Sequence, residues 1–242
     1  MSNLIGSKPN QVPTNADLGT LAFLDKEALD VGIFNTTNSY TVDQNFSSNL
    51  VLTNTSGYGI KLNNASPAFG WRDITSSIEV RGTGSANPTW SAWLGNMYAY
   101  AFSATVLQEC WQTYHIPHDY VPNTDIYFHA HWLTAGTNTG VVRWGFEYSH
   151  AKGHNQANFP ASTTTVYAEQ AGQGTAYRHM VTETTAVTIT GLEPDSIILV
   201  RVIRDAVHAN DTQTDAAFLL TADIHYQSTG IATKNKAPNF YT

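Results

Sequence analysis

Beyond residue 70 the chain alternates apolar and polar side chains with a period of two, in run after run. Ile74, Ser76, Ile78 and Val80 alternate with Thr75, Ser77, Glu79 and Arg81, and Tyr98, Tyr100, Phe102, Ala104 and Val106 share one face of the next run. Ile126, Phe128, Ala130 and Trp132 alternate with Tyr127, His129, His131 and Leu133, and Val142, Trp144, Phe146 and Tyr148 alternate with Val141, Arg143, Gly145 and Glu147. Val187 and Ile189 follow the same rule, as do Phe218, Leu220, Ala222, Ile224 and Tyr226 against Leu219, Thr221, Asp223, His225 and Gln227. Successive side chains on a strand point to opposite faces, so each run has one core face and one more polar face. Residues 197–203 are apolar on both sides, which predicts a central strand. With Thr163–Ala168 these runs predict about eight strands, divided by turn signals at 136–140 and 193–195. The expected fold is all-β, an antiparallel two-sheet, jelly-roll-like sandwich over 71–242.

The N-terminal part reads differently. Residues 1–15 are polar and interrupted by Gly6, Pro9 and Pro13, which predicts an extended arm. Leu18, Leu21, Ala22, Ala28 and Leu29 approach helical spacing, with Asn15 or Asp17 placed to cap a short helix that Gly19 weakens. Residues 31–70 are rich in Asn, Ser, Thr and Gly around short strand-like pieces, and read as a connector behind an arm over 1–30.

Composition narrows the partners. Charged residues are 13% of the 242-residue chain, against ~25% in ordinary globular proteins, and small polar residues take their place. That balance fits extracellular or virion surfaces read by neighbouring subunits. The net charge of −7, with no basic run denser than Lys234 and Lys236, argues against nucleic acid, whose phosphates need a Lys/Arg stripe. No apolar run is long enough for membrane insertion, and the N-terminus has no secretory signal pattern. The single cysteine, Cys110, excludes an intrachain disulfide and reads as a buried thiol.

The strongest chemical candidate is histidine-rich: His115 and His118, then His129 and His131. On a strand His129 and His131 share a face, about 7 Å apart, and His225 with Asp223 occupies the polar face of another run. These three histidines are the candidate metal ligands. The pair invites comparison with cupins, the metal-binding jelly rolls. That motif expects a Glu soon after the second His, and His131 is followed by Trp132-Leu133-Thr134-Ala135-Gly136. The departure favours a hydrogen-bonded polar layer formed by the histidines with Arg143, Glu147 and Asp223, and no cofactor. There is no GxSxG elbow, and no repeat of the kind that marks β-helical depolymerases. Arg204 is expected in an ion pair with Asp205 or as a bidentate clamp on a nearby loop, and 211–215 reads as a polar turn. Trp90, Trp93 and Tyr98 could stack on sugar rings or fill an interface.

Two stretches resemble known proteins. Residues 5–23, Ile5-Gly6-Ser7-Lys8-Pro9-Asn10-Gln11-Val12-Pro13 through Leu18, Leu21 and Phe23, resemble a recurrent opening of virion proteins from tailed phages, especially marine and cyanobacterial ones. The resemblance implies that Ile5, Pro9, Val12, Pro13, Leu18, Leu21 and Phe23 anchor the chain to the particle. The segments His115-Ile116-Pro117-His118-Asp119-Tyr120, Asp125–Trp132, Val142–Tyr148 and Asp223–Gln227, with Arg204-Asp205-Ala206, Asp211-Thr212 and Asp215-Ala216, resemble a domain of phage structural proteins. That implies a location in the virion after assembly in the host cytoplasm, contacts with other virion proteins of the capsid, neck or tail, and no catalytic residues. A fibre, knob or decoration protein is the expected role, with a host-surface glycan-binding module as the alternative. Closed cyclic symmetry is the general rule for homo-oligomers, and a homotrimer is the expected form.

Overall fold

The computed structural model describes residues 70–81 and 86–240. The expected arm, with all its anchoring residues, and the connector up to residue 69 lie outside the described residues. Ten strands follow: β1 (Gly70–Thr75), β2 (Thr89–Leu94), β3 (Met97–Phe102), β4 (Gln108–His115), β5 (Tyr127–Thr134), β6 (Val141–Ala151), β7 (Thr164–Ala171), β8 (Met180–Glu183), β9 (Ile197–Arg204) and β10 (Ala217–Ser228). No helix occurs among the described residues.

The pairing is nested. β6 and β7 form a central hairpin, and around it β5 pairs with β8, β4 with β9 and β3 with β10, all antiparallel. One long hairpin thus folds over itself, its rungs falling alternately in two sheets, which is jelly-roll wrapping. Pairing of β5 with β10 and of β6 with β9 completes the sheets. The four-stranded sheet runs β4-β9-β6-β7. The six-stranded sheet runs β2-β3-β10-β5-β8, with β1 on the remaining edge of β10. The sandwich expected from the alternation is therefore present, with β1 and β2 as additions to the eight wrapped strands.

Period-two alternation fills the space between the sheets. Phe128, Ala130 and Trp132 of β5, and Ala222, Ile224 and Tyr226 of β10, face Val142, Trp144 and Phe146 of β6 and Ile198, Val200 and Val202 of β9. Aromatic rings meet across the layer: Phe128 stacks on Phe146 at 5.4 Å, and the edge of Trp144 meets Phe102 at 5.2 Å. Such pairs add about 0.5–1.5 kcal/mol to the area they bury. Cys110 belongs to this core, and burial, then the nearby Glu109 carboxylate, pushes its thiol above the ordinary range. A thiol held protonated and enclosed is chemically inert.

Several runs depart from strict alternation. β10 carries a bulge: Leu219 opposes Trp132 while Thr221 opposes His131, so Leu220 is an extra residue. The bulge inverts the face order, so Phe218 lies on the outer face with Leu133 and Ala99 while Ala222 lies inside. β3 ends at Phe102, so Ala104 and Val106 do not continue its face. β1 ends at Thr75, and Ile78 and Val80 pack on the core from an irregular segment held by a bridge from Glu79 to Trp111. Val187 and Ile189 are buried, but Val187 makes only an isolated bridge with Ile126 and belongs to no strand. β9 is interior to its sheet, but Leu199 is exposed on its outer face.

Candidate functional site

Two features of the six-stranded sheet have the make-up of a site. The first is a cluster of imidazoles and carboxylates on its outer face. Register builds it: Glu183 of β8, His129 of β5, Asp223 of β10 and Thr75 of β1 are successive partners across the sheet. The flanking rows place His131 beside Thr221 and His225 beside Asp73. An outer sheet face is normally wet, yet His129 is 1% exposed and Asp223 4%. The His225 ring lies against His129 at a centroid distance of 3.9 Å, and the His131 ring is 4.9 Å from it.

His129 Nε2 is 3.3 Å from Asp223 Oδ1, and His131 Nε2 is 3.5 Å from the same oxygen. Neither nitrogen of His129 has a hydrogen-bond partner, and neither does Asp223 Oδ1. The outer members are better served. His131 Nδ1 meets His179 Nε2 at 2.7 Å. His225 is held between two carboxylates, with Nδ1 on Glu183 and Nε2 2.8 Å from Asp73 Oδ1. Burial, then the neighbouring His225 and His131, lowers the His129 pKa to about 3, so this ring is neutral at physiological pH. Burial and then Asp73 raise the Asp223 carboxyl to about 7, against a smaller opposing effect of His225.

The expected hydrogen-bonded polar layer is therefore not what forms. Arg143 and Glu147 lie on β6, in the other sheet, where Arg143 pairs with Glu169 and Glu147 pairs with Arg201. Among the inner side chains, His129 Nδ1, His129 Nε2 and Asp223 Oδ1 have no hydrogen bonds. The structure brings together the three candidate ligands His129, His131 and His225 with Asp223, and adds Asp73, His179 and Glu183, which sequence reasoning missed. The added groups are placed by long-range register and by a four-residue strand, and no local signal marks them.

His115 and His118 belong to a different group. Both Nε2 atoms lie 3.1 Å from Asp195 Oδ1, and His154 Nε2 is 2.8 Å from Oδ2. The Phe240 ring packs against His118 and His154, and Thr233 N–H donates to the His118 carbonyl, so this group fastens the segment after β10. Hydrogen bonding from His154 holds Asp195 below the usual carboxylate range, partly opposed by burial and aided by His118 and His115. A carboxyl depressed on folding stabilises above its unfolded pKa, and the contribution disappears as pH falls through the folded value. Asp195 sits at φ 61°, a conformation Asn also tolerates. Asp195→Asn is therefore expected to melt below the native protein at neutral pH, with the difference shrinking in acid below about pH 4. Thermal melts of both proteins across pH check this.

The second feature is a cleft of about 440 Å³ lined by Ser76, Ser77, Trp90, Tyr98, Tyr100 and Thr221 among others. It occupies the notch where β10 passes from pairing with β3 to pairing with β1, at the Leu220 bulge. Trp90, Tyr98 and Tyr100 project from one face of the β2–β3 hairpin. Trp90 is 58% exposed and Tyr98 50%. The two rings stack at 6.1 Å, and Tyr100 meets Trp90 edge-on at 4.8 Å. Of the three candidate glycan contacts, Trp90 and Tyr98 are thus united. Trp93 lies apart, packed on Ala99, Leu133 and Phe218 and against the Tyr177 ring.

Fold and sites together define a jelly-roll sandwich with an aromatic cleft and a buried histidine–aspartate cluster on its larger sheet. No protein-family model matches the chain, and no curated protein matches it. Among solved structures, the receptor-binding domain of the spike protein P1 from bacteriophage PM2 aligns at 9% identity, covering 66% of this chain and 99% of that domain, with a TM-score of 0.27.

Proposed function

We propose that the chain is a non-enzymatic component of a phage particle whose sandwich faces outward and recognises carbohydrate on the host surface at the Trp90–Tyr98–Tyr100 cleft. The observation that carries this reading is the cleft itself: exposed aromatic faces beside hydroxyls of Ser76, Ser77 and Thr221. Aromatic faces cover the C–H surface of a sugar ring, while hydroxyls at the margin meet its OH groups. The resemblance of residues 5–23, 115–149 and 197–227 to phage virion proteins supports the particle context. Low charge and an acidic balance suit a displayed surface with no nucleic-acid partner.

The test is binding of the purified full chain to a panel of bacterial lipopolysaccharides and capsular polysaccharides, read by tryptophan fluorescence and by adsorption to host cells. Trp90→Ala is expected to weaken binding by about 2 kcal/mol or more, roughly 30-fold in Kd. Trp93→Ala, whose ring packs away from the cleft, should cost stability and leave affinity near the native value. Failure to bind any surface polysaccharide, or equal binding by Trp90→Ala, removes the glycan reading. In the same proposal the arm over 1–30 docks on another virion protein and the assembly is a homotrimer. Loss of incorporation on deleting 1–30, and a mass three times 26.5 kDa in solution, are the expected results.

A further inference from the structure

The histidine–aspartate cluster lies outside the proposed binding cleft and has no part in that reading. Its inner members are an anomaly in a folded protein. A buried polar atom without a partner costs about 1–3 kcal/mol, so native structures hold few of them. Here two such atoms, His129 Nε2 and Asp223 Oδ1, face each other at 3.3 Å, and His131 Nε2 approaches the same oxygen at 3.5 Å.

We propose that His129 Nε2, His131 Nε2 and Asp223 Oδ1 bind one divalent transition-metal ion, of which zinc fits the donor set best. Three observations support the assignment. Two separations, 3.3 and 3.5 Å, suit ligands on a common ion, and one ligand atom from each of the three residues lies within 4.8 Å of the others. In a tetrahedron with bonds of about 2.0–2.1 Å, neighbouring ligand atoms lie roughly 3.3–3.4 Å apart. The donors are two imidazoles and one carboxylate, a set that favours zinc and its late first-row neighbours over magnesium or calcium. The outer groups are placed as supports, since ligating imidazoles are typically oriented through their other nitrogen, and His131 Nδ1 is engaged by His179 Nε2 at 2.7 Å.

An alternative triad, Asp73 with His129 and His225, also has ligand atoms close together. His225 is already occupied on both nitrogens, by Glu183 and Asp73, so that triad has less need of an ion. Asp73, whose Oδ1 is 3.9 Å from His129 Nε2, stands on the half-exposed side of the cluster and is the nearest further carboxylate. The ion satisfies His129 Nε2 and Asp223 Oδ1; His129 Nδ1 keeps no partner among the described side chains. Its role is structural. It ties β5 to β10 on a face that the second sheet does not cover, next to the bulge that shapes the cleft.

The experiment is titration of Zn²⁺ into the chelator-treated full chain by calorimetry, with Co²⁺ as a spectroscopic stand-in and melting temperature as a second readout. One ion per chain is expected, with visible absorption of tetrahedral Co²⁺ and a melting temperature that rises on adding Zn²⁺ and falls back with chelator. Even loss of a supporting group costs about 10–100-fold in metal affinity, so His131→Ala and Asp223→Asn should weaken binding by more than about 100-fold. His131 is the more accessible ligand, so His131→Ala is the variant expected to stay folded, as its circular dichroism and metal-free melt will report. His118→Ala, in the separate Asp195 group, should bind as the native chain does. Absence of binding overturns the proposal. So does unchanged affinity in folded His131→Ala, or loss of binding in His118→Ala.

Discussion

Arg204→Ala is expected to destabilise the sandwich by about 3–5 kcal/mol, the cost of leaving a buried partner charge uncompensated. Arg204 closes β9, and its side chain and that of Asp211 are both fully buried. The guanidinium grips the carboxylate with two bonds, Nε to Oδ2 at 3.1 Å and Nη2 to Oδ1 at 3.0 Å. Its remaining donors reach the carbonyls of Phe102, Asp215 and Gln213 at 3.1, 2.9 and 2.8 Å. Every N–H of the fork is therefore used, and one residue joins the end of β3, the end of β9 and the loop leading into β10. Many buried ion pairs can be replaced by apolar residues with little loss. This one is expected to resist, because Arg204→Met with Asp211→Leu would orphan three carbonyls as well as the Arg143 N–H that donates to Asp211. Arg204→Lys supplies a point charge with too few donors in the wrong geometry and should fall between native and Ala. For a domain of this size the Ala variant should melt roughly 6–20 °C lower. A loss under about 1 kcal/mol in urea titration, or a double apolar variant as stable as the native chain, would show that the network contributes little.

The sequence presents Arg204 beside Asp205, and adjacency is a poor guide here. Asp205 pairs with Arg143 of β6, and the clamp goes to Asp211. The reason is strand geometry. Neighbouring residues on β9 and just after it point to opposite faces, so Arg204 enters the core while Asp205 stays with the outer layer. The bidentate clamp on a nearby loop was nonetheless foreseeable, since a guanidinium at the end of an apolar strand needs a partner that can satisfy its fork.

Legibility follows the range of the interaction. Long, regular strands announce themselves: β5 and β6 coincide with the strongest alternation and β9 with the continuous apolar run, and His129 and His131 share a face because only local geometry is needed. Bulges and short strands do not. Leu220 interrupts β10 without changing its hydrophobic appearance, and Met180–Glu183 is too short to show a period. The buried Val187 and Ile189 look like strand residues because burial, not pairing, sets their apolarity. What the sequence could not supply was partnership across the sheet. Asp73, His225, His129 and Glu183 come from four strands, and only the registers of β1 on β10, of β10 on β5 and of β5 on β8 make them neighbours. The same limit separates His115 and His118 from His129 and His131, which look like one motif along the chain.

Trp132→Ala is expected to match or exceed the loss at Arg204, at about 3–5 kcal/mol for the ring plus the cost of its broken hydrogen bond. Trp132 is fully buried on β5, where its ring meets that of Trp144 from the opposite sheet at 6.4 Å. Its Nε1–H donates to Thr182 Oγ1 on β8 at 2.7 Å, and that hydroxyl donates to Gln170 Oε1 on β7 at 2.6 Å. This relay is a polar bridge between the sheets at the edge where β7 and β8 meet. Trp132→Phe keeps most of the ring volume and removes the donor, so it isolates the bridge, and a loss of about 1–3 kcal/mol is expected. Thr182→Val removes the relay's middle member while preserving shape. If the bridge is a unit, the double variant Trp132→Phe with Thr182→Val will cost less than the sum of the two single changes. Additive losses in denaturant unfolding would mean that packing alone holds this edge, since groups sharing one network are expected to couple by about 0.5–3 kcal/mol.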